Sequence, residues 1–234
     1  MKHQKRVSMK IKWYNVTCDN SKHIVKAQQW LFNKYLSTEP NYLDVGSVDI
    51  NKWGITVAEL LPDDDYIIFG LDDFLPIDKI NYNKVDEALQ IMVDNNLERF
   101  ELGWGASKKK GFEIEKDWLR YGLETPYKVS CQFSIWKTEA LKRELSKITT
   151  PWAFEINGNC TAGCFEDYAF RWIEESAISG RQKGKVNLCG MSIEDEKELI
   201  NLNLINKNDV IYGWKGGYKR TKEAFGTKYK EYYD

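Results

Sequence analysis

The sequence predicts an α/β fold with a mostly parallel central sheet that helices cover on both faces. Three observations support this prediction: short apolar runs recur along the chain, segments with helical spacing separate them, and turn-forming residues mark the boundaries. Strands that alternate with helices are typical of parallel sheets built from right-handed crossovers. No repeat, low-complexity linker or composition break divides the 234 residues, which favours one domain.

The N-terminal half contains four predicted strands and three predicted helices. The strands are "IKWYNVT" (11–17), a strand in "NYLDVGSV" that ends at Gly46, "DYIIFGL" (65–71) and "LERFELGW" (97–104). The helices are "SKHIVKAQQWLFNKYL" (21–36), "NKWGITVAELL" (51–61) and "NYNKVDEALQIMVDNN" (81–96). In the third helix, Val85, Leu89, Met92 and Val93 are predicted to share one face.

The C-terminal half has a weaker pattern. A loop or hairpin is predicted for "ASKKKGFEIEK" (106–116), with Lys108 to Lys110 in solvent, and Pro151 marks a boundary. Further strands are predicted in "YKVSCQFSIW" (127–136) and near "GKVNLCG" (184–190). Further helices are predicted in "KTEALKREL" (137–145), "FEDYAFRWIEES" (165–176) and "SIEDEKELINL" (192–202).

Composition excludes several classes of protein. A formal net charge of −1 argues against a nucleic-acid partner. No apolar run approaches the ~20 residues that span a bilayer. Five cysteines, an odd number, predict reduced thiols and a cytoplasmic protein. Cys160 and Cys164 have helical spacing, but a zinc site needs further ligands, and the only histidines are His3 and His23.

The third predicted strand ends in two adjacent carboxylates, Asp72 and Asp73. The turns after Thr17, Val45 and Leu71 are expected along one edge of the sheet, where open α/β sheets bind ligands. Carboxylate oxygens there can hold Mg²⁺ or Mn²⁺, which completes its coordination with phosphate oxygens. The alternative is a loop whose acids cap the next helix or face water.

Other phosphate-binding patterns do not fit. A phosphatase of the haloacid-dehalogenase type would carry two aspartates one residue apart, early in the chain and followed by Gly-Thr, unlike "DDFLP". The P-loop pattern is absent. The Rossmann glycine pattern is absent too, because "GWKGGYK" (213–219) lies far from the first strand.

Four segments in order, "DYIIFGLDDFLP", "ERFELGW", "YKVSCQFSIWKTEAL" and "TTPWAFE", resemble bacterial and viral glycosyltransferases of the GT-A fold, of the family-2-like nucleotide-sugar type. The resemblance covers roughly residues 10–157. It implies a GT-A-like three-layer α/β/α sandwich with a Rossmann-like N-terminal half. It also implies a hexosyltransferase that uses a UDP- or GDP-sugar donor and a glycan or lipid-linked acceptor, in surface polysaccharide synthesis.

The same resemblance implies roles for the polar residues at the strand ends. In that family an Asp-x-Asp motif holds Mn²⁺ or Mg²⁺ against the donor diphosphate, and the matching positions here read Leu71-Asp72-Asp73. Asp73 is therefore the expected principal metal ligand, with Asp72 turned to the sugar or ribose. Nucleoside contacts are expected from Thr17, Asp19 and Asp44, with turn and capping chemistry as the alternative.

The acceptor side needs a general base near the attacking hydroxyl. The resemblance favours Glu155, which closes "PWAFE", and the acidic pair in "GCFEDYAF", Glu166 and Asp167, is the rival. A polar group and two aromatic platforms are expected to meet the acceptor: Gln132, Trp136 and Trp152. For Trp136 the alternative is burial beneath the sheet.

The expected organisation is one domain, with a nucleotide-binding half (about 10–105), an acceptor-side half (about 106–212) and a basic aromatic tail (213–234). The tail is either solvated, closed over the diphosphate, or in peripheral contact with an anionic membrane at its inner face. Two other functions stay open. One is a non-catalytic α/β module that binds a glycan or protein. The other is a nucleotidyltransferase, which would carry a Gly-rich loop where "TCDNSK" (17–22) has no glycine.

Overall fold

A computed structural model of the protein describes residues 11–47, 49–103, 112–115, 117–122, 125, 128–174, 186–188 and 191–211. The first six strands are β1 (Lys12–Thr17), β2 (Asn41–Asp44), β3 (Tyr66–Leu71), β4 (Phe74–Pro76), β5 (Arg99–Glu101) and β6 (Phe112–Ile114). The others are β7 (Leu119–Tyr121), β8 (Ser134–Lys137), β9 (Ala162–Cys164), β10 (Trp172–Glu174), β11 (Val186–Asn187) and β12 (Val210–Ile211).

Six α-helices accompany these strands in the described ranges: α1 (Lys22–Leu36), α2 (Trp53–Leu60), α3 (Tyr82–Asn95), α4 (Thr138–Leu145), α5 (Pro151–Asn157) and α6 (Ile193–Asn201). Short 3-10 helices at Ile50–Lys52 and Lys207–Asp209 precede α2 and β12. Among the residues described, no helix combines the length and the apolar character needed to cross a membrane.

The central sheet has eight strands in the order β2-β1-β3-β8-β5-β9-β7-β6. The pairs β1–β2, β1–β3 and β5–β9 are parallel, whereas β8 is antiparallel to both β3 and β5. Because β7 is antiparallel to β6 and β9, all strands of this sheet except β7 and β8 run in one direction. The mostly parallel sheet is therefore confirmed. We call the edge where these codirectional strands end the carboxyl edge.

Helices cover both faces of the sheet, which confirms the three-layer α/β/α sandwich. The connection from β1 to β2 runs along the sheet in one direction, and the connection from β2 to β3 runs in the other. Because both crossovers are right-handed, α1 and α2 lie on opposite faces of the sheet. On the α1 face, Trp13 packs edge-to-face on Phe32, with ring centroids 5.2 Å apart. On the other face, Phe154 of α5 contacts Trp53 and Trp136, with centroids 6.3 and 5.9 Å away.

Helix α1 is buried on two sides, because the C-terminal elements pack over it. Phe32 and Leu36 belong to the main core, whereas Ile24, Ala27 and Leu31 belong to a second cluster. The second cluster also contains residues of β4, of the β10–β11 region and of α6. Tyr35 of α1 packs against both clusters and donates a 2.6 Å hydrogen bond to Asp195 of α6.

Three predictions of local structure are wrong. The helix predicted over 165–176 is absent from its described part: residues 165–171 form a turn region after β9, and residues 172–174 pair with β4 as β10. In the strand predicted over 127–136, residues 128–133 are irregular and residues 134–136 belong to β8. Val93 is half exposed, whereas Val85, Leu89 and Met92 are buried. Lys108 to Lys110 and the tail 213–234 lie outside the described residues.

Candidate functional site

The turns after β1, β2 and β3 lie side by side at the carboxyl edge. Three backbone hydrogen bonds join them: the Val45 N–H donates to the Thr17 oxygen (2.9 Å), Asp72 N–H to the Val16 oxygen (3.0 Å), and Asp19 N–H to the Gly46 oxygen (3.1 Å). Gly46 takes a left-handed φ of 59° in the β2 turn, a conformation that favours glycine. The strand order therefore brings Thr17, Asp19, Asp44, Asp72 and Asp73 to one region.

Asp72 and Asp73 form the two-residue turn between β3 and β4. Both are almost fully covered, with 4% and 6% of their surfaces exposed. Keeping two adjacent carboxylates out of water is costly unless donors or cations compensate their charge. The turn therefore differs from the alternative considered in the sequence analysis, a loop whose acidic side chains face water.

A buried glutamine on α1 supports this turn. The Gln28 side-chain amide donates to the backbone oxygens of Leu71 (2.9 Å) and Phe74 (2.8 Å), which flank the two carboxylates. Its oxygen accepts hydrogen bonds from Asn15 Nδ2 (2.9 Å) and the Tyr42 hydroxyl (2.6 Å). The Gln28 side chain thus connects β1, β2 and the β3–β4 turn.

Sequence reasoning missed Gln28, although a signal existed. The residue lies four positions after Ile24 and three before Leu31, on the face of α1 that periodicity assigns to the core. A polar residue on a buried helix face requires hydrogen-bond partners, and those partners are the informative feature.

Asp72 also influences the hydroxyl of Tyr42. Burial, and then the negative charge of Asp72, raise the pKa of Tyr42 above its ordinary value. The hydroxyl therefore stays protonated and keeps donating to Gln28.

A lysine joins the two acids that were expected to contact the nucleoside. Lys22 Nζ lies 2.6 Å from Asp19 Oδ1 and 3.0 Å from Asp44 Oδ2. Hydrogen bonds from Lys22 and from Ser47 lower the pKa of Asp19. These four side chains form an exposed polar cluster beside the Asp72–Asp73 turn. Within the described residues, the buried Thr17 hydroxyl has no hydrogen-bond partner, so it could accept one from a ligand.

The acceptor-side candidates divide into two groups. Glu155 Oε1 accepts a 3.0 Å hydrogen bond from the Cys131 N–H, and Gln132 follows in the segment that enters β8 at the carboxyl edge. Glu166 and Asp167 are exposed and follow β9, which ends at the same edge. Asp167 forms an ion pair with Lys84 in the first turn of α3.

The two tryptophans proposed as platforms differ in exposure. Trp136 is completely buried between Phe154 and the Arg99 guanidinium, which lies 5.8 Å from the Trp136 ring centroid. A side chain without exposed surface cannot stack on a sugar, so Trp136 is a core residue and its assignment as a platform is corrected. Trp152 on α5 is 61% exposed and is available to a ligand.

The polar groups at the carboxyl edge suit a hard divalent cation only with help from a ligand. In the ranges that the structure describes, no cluster of three or more His, Cys, Asp or Glu residues could enclose a metal ion. Two carboxylates are nevertheless the usual protein contribution to a Mg²⁺ site that shares its ion with substrate phosphates. Asp72 and Asp73 therefore fit Mg²⁺ or Mn²⁺ bound together with a diphosphate.

Comparison with known proteins finds similarity in fold only. No family model and no curated protein matches the sequence. Solved structures with a similar fold include A197 from STIV (14% identity, TM-score 0.40, 70% of this chain and 85% of that chain). They also include HddC from Yersinia pseudotuberculosis (9%, 0.41, 81% and 77%) and S. aureus TarS 1-349 (14%, 0.40, 83% and 64%).

Proposed function

We propose that this chain is a glycosyltransferase that binds a nucleotide-sugar donor at the carboxyl edge of its sheet. The observation that carries the proposal is the convergence of three strand exits on one region, where the covered carboxylates of Asp72 and Asp73 lie beside the Lys22, Asp19 and Asp44 cluster. In a nucleotide-sugar, the diphosphate would bind near Asp72 and Asp73, and the nucleoside would bind near the Lys22, Asp19 and Asp44 cluster.

The two carboxylates would divide their work. Asp73 is the proposed principal ligand of Mg²⁺ or Mn²⁺, and Asp72 is directed to the sugar or ribose. This division follows the resemblance of Leu71-Asp72-Asp73 to the Asp-x-Asp motif, in which only the last two positions keep a carboxylate here. When bound, the cation stabilises the leaving diphosphate as a Lewis acid.

For the general base we now favour the acidic pair after β9. Glu166 and Asp167 follow a strand that ends at the carboxyl edge, where the donor would sit. Glu155 instead holds the Cys131 N–H and so fixes the segment that carries Gln132. In the proposed site, Gln132 and Trp152 contact a glycan or lipid-linked acceptor, and the donor is a UDP- or GDP-sugar.

Isothermal titration with a panel of nucleoside diphosphates in the presence of Mn²⁺ tests the proposal. We expect one member to bind only when the cation is present. No binding by any member would reject the donor site. A positive result is followed by product analysis with the matching nucleotide-sugar, because release of a nucleoside diphosphate identifies a glycosyltransferase and turnover with pyrophosphate identifies a nucleotidyltransferase.

A further inference from the structure

We propose that Gln28 is a positioning residue of the candidate site, whose side-chain amide sets the orientation of the Asp72–Asp73 turn. The inference rests on the proposed function in one respect, namely that this turn binds a cation and a diphosphate. Its geometric part, that Gln28 holds the turn in place, is independent of any ligand.

The hydrogen bonds of Gln28 bracket the carboxylates. The turn contains only Asp72 and Asp73, and the carbonyls on either side of them, those of Leu71 and Phe74, both accept from Gln28 Nε2. Rotating either peptide plane breaks one of these bonds and leaves a buried donor or acceptor unsatisfied, which is costly. One amide group therefore restrains both ends of the turn.

The other end of the Gln28 side chain is anchored in the sheet. Asn15 Nδ2 and the Tyr42 hydroxyl both donate to Gln28 Oε1, and all three residues lie in or beside the sheet at its carboxyl edge. Hydrogen bonds in such a chain polarise one another in a low dielectric. Gln28 therefore fixes the position of the turn relative to β1 and β2. The C-terminal ends of these two strands form the nucleoside side of the proposed site.

Gln28 is also inaccessible to a ligand. Its side chain has no exposed surface, so any effect on binding must act through the turn. A core glutamine with a merely structural role would, when changed, lower the stability of the whole fold. A positioning residue would change the turn and its ligand affinity more than it changes the rest of the protein.

The discriminating variant is Gln28→Glu. A carboxylate of the same size still accepts from Asn15 and Tyr42, but it has no N–H to donate to Leu71 and Phe74. The matched control is Gln29→Glu, the same chemical change at the next position of α1, where the side chain is partly exposed. Burial favours the protonated form of a carboxyl group, so acidification should return one O–H donor at position 28.

Two measurements on the full chain test the proposal. In hydrogen exchange followed by mass spectrometry, we expect the peptide over 66–76 to exchange at least about tenfold faster in Gln28→Glu than in the wild type, while peptides from α4 and β8 are unchanged. In titrations with Mn²⁺ and the nucleoside diphosphate that binds the wild type, we expect affinity to fall about 10- to 100-fold, as for residues that orient metal ligands. The defect should shrink from pH 8 to pH 6 in this variant alone.

The outcomes separate the two proposals. Wild-type exchange in the 66–76 peptide of Gln28→Glu, or a uniform acceleration across all peptides, overturns the positioning role. If the wild type binds no nucleotide, the proposed function is rejected. If exchange of the 66–76 peptide is nevertheless accelerated in Gln28→Glu, the role of Gln28 in holding the turn is still supported. Equal losses of affinity in Gln28→Glu and Gln29→Glu also overturn the positioning role, because a charge added anywhere on α1 would then explain the effect.

Discussion

The Arg99 guanidinium lies 3.2 Å from the Glu101 carboxylate, and both side chains are fully withdrawn from water. Arg99 donates further hydrogen bonds to Ser130 (2.7 Å), Ser134 (3.1 Å) and the Lys128 carbonyl (2.9 Å). This buried group joins β5 and β8 to the irregular segment 128–133, which contains Gln132. The ion pair therefore helps to hold the segment that carries Gln132, a residue of the proposed acceptor side.

Replacing Arg99 by methionine should destabilise the fold strongly. The substitution leaves Glu101 buried without its counter-charge, and breaking a buried pair in this way costs about 3–5 kcal/mol. Urea denaturation measures the loss in the free energy of unfolding. Lys12→Met is the control, because it breaks the exposed Lys12–Asp64 pair and should have a much smaller effect. Equal losses in the two variants would contradict the role given to burial.

Asp73→Asn should strongly weaken cation-dependent donor binding and leave the fold intact. The amide is nearly isosteric but lacks the charge that a divalent cation needs. We expect the affinity for Mn²⁺ with nucleoside diphosphate to fall by more than about tenfold, a loss already typical of residues that only orient a metal ligand. Calorimetric titration measures the affinity, and circular dichroism checks the fold.

Asp63→Asn provides the matched control for Asp73→Asn. Asp63 precedes β3, at the opposite edge of the sheet, and forms a surface ion pair with Lys142. The same chemical change there should leave nucleotide affinity unaltered. If both variants lose affinity equally, the assignment of the cation to the carboxyl edge is wrong.

Substitutions of the two tryptophans considered for acceptor binding should have different effects: Trp152→Ala should affect acceptor binding, and Trp136→Ala should affect stability. Trp152→Ala removes a side chain that is 61% exposed, so the free energy of unfolding should change by no more than about 0.5 kcal/mol. Its KM for the acceptor should rise, because an aromatic platform is lost. Trp136→Ala should cost about 3–5 kcal/mol, because it opens a cavity in the core. Denaturation and initial rates measure both, and an unchanged acceptor KM in Trp152→Ala would remove that residue from the site.

The Glu144 carboxylate should stabilise the fold only at pH values above the folded-state pKa of Glu144. Burial acts to raise the pKa of Glu144, but hydrogen bonds from Lys147, the Asn159 N–H and Arg143 outweigh it and hold the pKa below 4.5. The stabilisation is fully present above the unfolded pKa of about 4.3 and is lost as pH falls through the lower folded pKa. Glu144→Gln should therefore cost about 1 kcal/mol at pH 7, a value reduced by solvent screening.

Unfolding of both proteins between pH 7 and pH 3 measures this effect. The difference in the free energy of unfolding between wild type and Glu144→Gln should shrink below about pH 4. A difference that stays constant over the whole range would show that the carboxylate charge contributes nothing.

The sequence was sufficient for the elements whose pattern is local. Strands β1 to β3 and helices α1 to α3 follow from apolar runs and helical spacing, and the predicted parallel order placed their exits together. The antiparallel strand β8 between β3 and β5 was not foreseen, because which strands become neighbours depends on contacts far apart in the chain.

Residues 165–174 illustrate how tertiary contacts override a helical pattern. Phe165 and Ala169 are four residues apart, as on one helix face, yet the Phe165 ring packs 4.8 Å from that of Phe100 and Trp172 packs 5.3 Å from Phe133. Backbone pairing of β10 with β4 then fixes the extended form. These contacts stabilise the segment more than its intrinsic helix propensity does.

The site was predictable where a residue stands out against its neighbours. Asp72 and Asp73 are visible because two charges end an apolar run. Gln28, Lys22 and Arg99 were missed, because each acquires its meaning from partners in other elements. A single sequence indicates which residues are unusual, whereas the fold determines which of them contact one another.

The place of β8 in the sheet has a consequence for how the protein is made. A nascent chain that has emerged only as far as β5 can pair β1, β2 and β3, but the position between β3 and β5 stays vacant until residues 134–137 have left the ribosome. Until then the apolar edge of β3, including Ile67 and Phe69, offers unpaired backbone groups to other chains. We therefore expect translation past β8 to protect the first half of the chain from aggregation, and a truncation before that point to remove this protection.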